Sequence, residues 1–150
     1  MKVKEIMTKT VHTARPDDSI KKIAALLYGY RISGVPIVNN EGELVGIVSE
    51  KDILRAIYPT YAEFYEDLSH GMDFEEMESR YRDVTNLKAL DLMAKDVITV
   101  SPDTPVLKVA SLMVLKRIRR VPVVENKKLV GIVSQGDIHQ AIFKKELLGI

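Results

Sequence analysis

The chain states one pattern twice. Arg31-Ile-Ser-Gly-Val-Pro-Ile-Val, a turn, and Leu44-Val-Gly-Ile-Val-Ser-Glu-Lys-Asp52-Ile return as Arg117-Ile-Arg-Arg-Val-Pro-Val-Val, a shorter turn, and Leu129-Val-Gly-Ile-Val-Ser-Gln-Gly-Asp137-Ile. Upstream, Ile6-Met7 is answered by Leu92-Met93 and Pro16-Asp17 by Pro102-Asp103. The offset is 86 residues as far as the Val-Pro pair and 85 after it, because the second turn is one residue shorter. A unit of about 60 residues buries only about 60% of its unfolded surface and is marginal alone. The copies are therefore expected to share one core, packed about a pseudo-twofold axis that creates two related clefts.

Within each copy the pattern reads strand, helix, strand, strand, helix. Val11-His-Thr and Val97-Ile-Thr-Val are short β-type segments. Pro16-Asp-Asp-Ser and Pro102-Asp-Thr-Pro are turns, with N-cap candidates at Asp18/Ser19 and Asp103/Thr104. Ile20, Ile23, Ala24 and Leu27 share a helix face, as do Val106, Val109, Ala110 and Met113. Val35-Pro-Ile-Val and Val121-Pro-Val-Val are apolar strands, each closed by a turn onto Leu-Val-Gly-Ile-Val. Ser49 and Ser134 then open the second helices, with Asp52 and Asp137 three residues later in capping-box spacing. Apolar strands of this kind are covered by helices, which predicts an α/β or α+β sandwich. Gly46 and Gly131, inside strands, are expected to admit close backbone approach. The repeat divides the chain into 1–58, a non-repeating insert 59–88 and 89–150. The insert is acidic and tyrosine-rich and reads as two helices broken near Gly71, serving as a packed linker or as a docking surface.

Charge and composition narrow the function classes. The 150-residue chain is 46% hydrophobic with net charge +1, so no strong field draws nucleic acid or membrane. No cysteine is present, which excludes thiolate metal sites, and His12, His70 and His139 lack metal-type spacing. Structural roles are expected for the three histidines, with His139 close enough to Asp137 to approach a cleft mouth. No phosphate loop, paired-carboxylate set or nucleophile elbow appears, so no enzyme activity and no metal or required cofactor is expected. No leader or apolar run near 18 residues stands out, which makes cytoplasmic residence the expectation.

The ordered set Ile6-Met7-Thr, Thr13 or Thr99, Val-Pro-Ile/Val-Val and Gly-Ile-Val-Ser-x-x-Asp, present twice over about four-fifths of the chain, resembles the CBS domain in its tandem arrangement, the Bateman module. That resemblance implies two β-α-β-β-α units related by a pseudo-twofold with their sheets packed together. It implies pairing into homodimers, and clefts that take adenosine-containing ligands: AMP, ADP, ATP, S-adenosylmethionine, and in some members NAD or cyclic dinucleotides. It places Thr13, Arg31, Val35, Pro36, Ser49 and Asp52 at a first cleft. Thr99, Arg117, Arg119, Arg120, Val121, Pro122, Ser134 and Asp137 fall at a second. The aspartates correspond to the family's ribose-binding position, the serines to its hydroxyl position, the Val-Pro pairs to the adenine wall and the arginines to phosphate contacts.

Elementary chemistry agrees with those roles while leaving others open. One carboxylate can accept from both ribose hydroxyls, and charge-assisted bonds are each worth about 1.5–3 kcal/mol. Capping alone also explains the Ser–Asp pairs, and a solvated helix end explains the run Lys116 to Arg120. The copies differ most just before Val-Pro, where Arg119-Arg120 stands against Ser33-Gly34. Forked guanidinium donors suit phosphate, so the second cleft is expected to prefer AMP, ADP or ATP, and the first to take an uncharged tail or stay empty. The competing expectations are a ligand-independent dimerisation or partner-docking scaffold with an unidentified protein target, and a binder of S-adenosylmethionine or NAD.

Overall fold

In the computed structural model, residues 1–58, 75 and 78–150 are described. The fold is mixed α/β with two small antiparallel two-stranded sheets. In chain order the helices and strands are α1 (Ile20–Tyr30), β1 (Gly34–Val38), β2 (Leu44–Ser49), α2 (Glu50–Ile57), α3 (Arg80–Thr85), α4 (Ala89–Leu92), α5 (Val106–Lys116), β3 (Arg120–Glu125), β4 (Lys128–Ser134) and α6 (Gln135–Ala141), which runs on into a π-helical turn at Ile142–Leu147. The helices expected around Gly71 lie outside the described residues.

The chain forms two compact units whose boundaries differ from those of the sequence copies. One consists of His12–Asn39 with Val45–Lys95; the other of Met1–Val11, Asn40–Leu44 and Asp96–Ile150. Each copy's leading segment thus belongs to the unit built on the other copy's hairpin. In the unit of the second copy, Val3 is fully buried in the core with Val109, Val121 and Val133. Its N–H donates to the Thr104 carbonyl at 2.9 Å, and Thr8 and Ile132 exchange both backbone bonds at 2.9 Å. In the unit of the first copy, Ala89 is fully buried with Ile20, Ile23 and Ile37. Its N–H donates to Asp18 at 2.8 Å, and Ala94 and Ile47 exchange bonds of 2.8 and 3.0 Å. The two sets match at the offsets of the sequence, 86 residues between Val3 and Ala89 and between Thr8 and Ala94, and 85 between Ile47 and Ile132.

Gly46 and Gly131 exist to admit these segments. A Cβ on Gly131 would lie 2.7 Å from Met7 Sδ and 3.0 Å from the Thr8 carbonyl; one on Gly46 would lie 2.7 Å from Met93 Sδ and 2.9 Å from the Ala94 carbonyl. Close approach, as the strand glycines suggested, is what the positions require.

Two local expectations are corrected. The first strand of each copy is a single parallel bridge, Ala14 to Ile37 and Val100 to Val123. Ala14 donates to Pro36 at 3.1 Å and accepts from Val38 at 2.9 Å. The next donor of a parallel ladder would come two residues on, and there stand Pro16 and Pro102, which have no N–H. The N-cap of α5 is Pro105 rather than Asp103 or Thr104; Thr104 Oγ1 instead accepts from the Ser101 N–H at 3.0 Å. In α1 the Ser19 cap holds, accepting from the Lys22 N–H at 3.1 Å. The Ala24 side of α1 is exposed, while Ile20, Ile23 and Leu27 are buried.

The β3–β4 hairpin closes on the two-residue turn Asn126-Lys127, both with positive φ (51° and 68°), between the pair Glu125–Lys128. This is the primed turn whose twist suits adjoining strands, and its second position favours glycine. The left-handed conformation costs a lysine about 1–2 kcal/mol. Lys127→Gly is therefore expected to raise stability by about 0.5–1 kcal/mol, after the added chain entropy of glycine is subtracted; chemical denaturation with an unchanged slope is the check.

Candidate ligand-binding site

The same local logic builds a constellation in each unit, at the junction of the hairpin's second strand with the following helix. Ser134 leaves β4 in extended conformation and caps α6. Its N–H donates to Asp137 Oδ2 at 2.9 Å, and the Asp137 N–H donates to Ser134 Oγ at 3.0 Å. Ser49 and Asp52 repeat the box at α2: the Ser49 N–H and hydroxyl donate to Asp52 Oδ2 at 2.8 and 2.9 Å, and the Asp52 N–H donates to Ser49 Oγ at 3.4 Å. Capping is therefore real in both copies. It uses one carboxylate oxygen, and Oδ1 of each aspartate has no hydrogen-bond partner among the described residues. Both aspartates are half-buried.

The Val-Pro strand enters the same junction. The Gln135 N–H, first in α6, donates to the Arg119 carbonyl at 2.8 Å, and Arg120 stands opposite Ser134 in the ladder. In the first copy the Glu50 N–H donates to the Ser33 carbonyl at 3.0 Å. Thr99 precedes Val100, whose N–H donates to the Pro122 carbonyl at 3.1 Å; Thr13 precedes Ala14, bonded likewise to Pro36. The structure thus gathers Thr99, Arg119, Arg120, Ser134 and Asp137 at one end of the second hairpin. Thr13, Ser33, Ser49 and Asp52 gather at the corresponding end of the first. Val35, Pro36, Val121 and Pro122 are all buried, and the two valines belong to the hydrophobic cores. They hold the strand that carries the polar residues.

Sequence reasoning missed the conformation of Arg31 and Arg117. Both sit at the C-caps of α1 and α5 in the left-handed region (φ 52° and 54°). The following Ile32 and Ile118 donate back to Leu27 and Met113 at 3.1 and 3.0 Å, closing the helix ends. Glycine usually fills such a position, because a side chain there costs about 1–2 kcal/mol. Arginine carries no sequence signal for it. Both guanidiniums are exposed, as is that of Arg119, and none of the three has a hydrogen-bond or ion-pair partner among the described residues. Arg120 is half-buried and engaged.

The described histidines make ring contacts. His12 stacks on Tyr30, and exposed His139 lies tilted against Phe143 at 6.5 Å. His70 lies outside the described residues. No group of three or more metal-type side chains occurs among the described residues.

The family profile of the CBS domain matches residues 3–59 and 89–144. The chain belongs to the CBS-domain family. It is a CBS pair, one domain match for each copy of the repeat. An uncharacterized protein of Methanocaldococcus jannaschii, MJ1426, is 34% identical over 95% of this CBS pair and 91% of its own length. Among other curated relatives the chain spans as little as 23% of the relative's length. The CBS domain pair of protein MJ0100, solved in complex with 5′-methylthioadenosine and S-adenosyl-L-methionine, is 30% identical with a TM-score of 0.73, covering 97% of this chain and 98% of that one. The protein CBSX2 in complex with AMP is 26% identical with a TM-score of 0.73, covering 95% and 96%. No described helix is long and apolar enough to cross a membrane.

Proposed function

We propose that this CBS pair is a regulatory adenine-nucleotide sensor, binding AMP, ADP or ATP through the second copy and shifting conformation or partner association in response. One observation carries this above the rest: Asp137 spends Oδ2 on the cap and keeps Oδ1 unengaged at the strand–helix junction where the Arg119 carbonyl accepts the Gln135 N–H and Arg120 pairs with Ser134. A ribose hydroxyl donates to that oxygen, and the unpaired Arg119 guanidinium takes the phosphate. Ser134 contributes its hydroxyl, Arg117 a second exposed cation, and Val121-Pro122 the rigid strand beneath them. Solved relatives that hold AMP, or 5′-methylthioadenosine with S-adenosylmethionine, support an adenosine ligand. The first copy, with Thr13, Arg31, Val35, Pro36, Ser49 and Asp52, offers a related site with fewer cations.

A sensor of this kind acts by population shift: ligand favours whichever arrangement it binds better, by the difference in affinity. The protein assigned this role catalyses no reaction, resides in the cytoplasm and works as a homodimer. Arg119→Ala is expected to weaken AMP roughly 10- to 100-fold while leaving adenosine unchanged. Paired calorimetric titrations of AMP and adenosine measure this, and equal losses for both ligands would remove Arg119 from the phosphate role.

A second reading, a ligand-independent dimerisation or partner-docking scaffold, is favoured by the exposed face of α5. Leu107, Val114 and Leu115 are spaced to share one side of that helix and are 72%, 71% and 77% exposed. Apolar faces of this sort mark protein contacts.

A further inference from the structure

The two copies differ at one more place. His12 and Tyr30 stack, with ring centroids 3.6 Å apart and planes 15° from parallel. The contact joins the last residue of α1 to the segment that leads into the Ala14 bridge. His12 immediately precedes Thr13, and Tyr30 immediately precedes Arg31, so two candidate residues of the first site flank the stack. At the 86-residue offset the second copy has Ile98 and Lys116. A ring pair stands where the second copy has an aliphatic side chain and an ammonium. The contrast continues through the following positions, where Arg31, Ile32, Ser33 and Gly34 face Arg117, Ile118, Arg119 and Arg120. Residues 30–34 carry a single cation; residues 116–120 carry four.

A phosphate entering the first site would shed water beside ring faces, which present negative potential, with one guanidinium to replace its hydration. An apolar tail meets the opposite balance. Tyr30 is 54% exposed, so its ring has surface left to cover, and covering it against an apolar group is favourable.

We propose that the stacked His12–Tyr30 pair sets the specificity of the first site, selecting an adenosine whose 5′ substituent is uncharged and apolar, such as a thioether, over a 5′-phosphate. This rests on the adenosine-binding reading of the site given above. It adds two residues that neither the repeat motif nor the capping geometry includes.

The test is calorimetry with 5′-methylthioadenosine and AMP as probes. It compares the unaltered protein, Asp52→Asn, Asp137→Asn and the double swap His12→Ile/Tyr30→Lys, which gives the first copy the residues of the second. The thioether is expected to lose binding in Asp52→Asn and AMP in Asp137→Asn. In the swap the thioether should weaken by about tenfold or more, and the AMP stoichiometry should rise. Should the swap unfold, Tyr30→Ala carries the test with the same expected loss, and Tyr30→Phe should retain binding because it keeps the ring. Unchanged thioether affinity in the swap or in Tyr30→Ala, alongside loss in Asp52→Asn, overturns the role of the stack and leaves the site standing. Thioether binding that is lost in Asp137→Asn rather than Asp52→Asn overturns the assignment to the first site. Binding of neither probe to the unaltered protein overturns the adenosine site itself, and the specificity pair with it.

Discussion

Replacing Gly131 with alanine is expected to destabilise the protein by about 1–3 kcal/mol, the range typical of overpacking a well-filled site. The new Cβ would stand 2.7 Å from Met7 Sδ and 3.0 Å from the Thr8 carbonyl oxygen. A methionine side chain can swing aside, but the Thr8 carbonyl accepts the Ile132 N–H at 2.9 Å and cannot move without breaking that bond. Relief at the Thr8 carbonyl pulls away the segment that carries Val3, which is fully buried in the core. Gly46→Ala should behave the same way, against Met93 and the Ala94 carbonyl at 2.9 Å. For a chain of this length each kcal/mol lowers the melting temperature by about 2–4 °C. Adding Met7→Ala to Gly131→Ala should restore only part of the loss, because the backbone clash remains. Gly136→Ala supplies the opposite sign: its Cβ would meet only Ser134 Oγ, at 3.7 Å, within helix α6. It should gain about 0.5–1 kcal/mol from helix propensity. Thermal unfolding of the four variants measures all of this, and a neutral Gly131→Ala would contradict the packing described.

Asp137→Asn is expected to cost about 1–3 kcal/mol of AMP affinity, or roughly 5- to 150-fold. Asparagine is the informative replacement, because its amide oxygen can still accept the Ser134 N–H that Oδ2 accepts at 2.9 Å. The cap is kept, and what is lost is the anionic acceptor at Oδ1. A charge-assisted bond to a ribose hydroxyl is about twice as strong as a neutral one, so affinity should fall while the melting temperature of the free protein holds. A fall in both together would mean that Asp137 serves the helix and that its effect on ligand is indirect. Asp52→Asn makes the same separation in the first copy, where Asp52 Oδ2 also takes the Ser49 hydroxyl at 2.9 Å.

Much of this was legible in the sequence wherever the determinants are local. Ser-x-x-Asp predicts the capping boxes, since both partners lie within one helical turn. The apolar runs around Gly46 and Gly131 predict the hairpin strands, and the glycines announce the close approach that Met93 and Met7 make. Four features were not legible, each for a physical reason. The leading strands shrink to single bridges because Pro16 and Pro102 fall on the next donor position of a parallel ladder, which depends on register. The exchange of leading segments between the units is set by non-local pairings such as Thr8 with Ile132 and Ala94 with Ile47, far apart in the chain. The left-handed Arg31 and Arg117, and the stack of His12 on Tyr30, depend on tertiary context that residue type does not announce. These last features lie at or next to the candidate site residues, where local preference is most often overridden.

A sensor of the proposed kind must bind an adenine nucleotide in its folded state. The most direct measurement is thermal unfolding in the presence of AMP, with inorganic phosphate and ribose as controls. A ligand that binds only the folded state stabilises it by RT ln(1 + [L]/Kd), about 2.7 kcal/mol at a hundredfold excess over Kd. The melting temperature is expected to climb with AMP concentration, not to respond to either control, and to climb far less in Asp137→Asn. A flat response to AMP, ADP and ATP alike would contradict it and favour the ligand-independent scaffold.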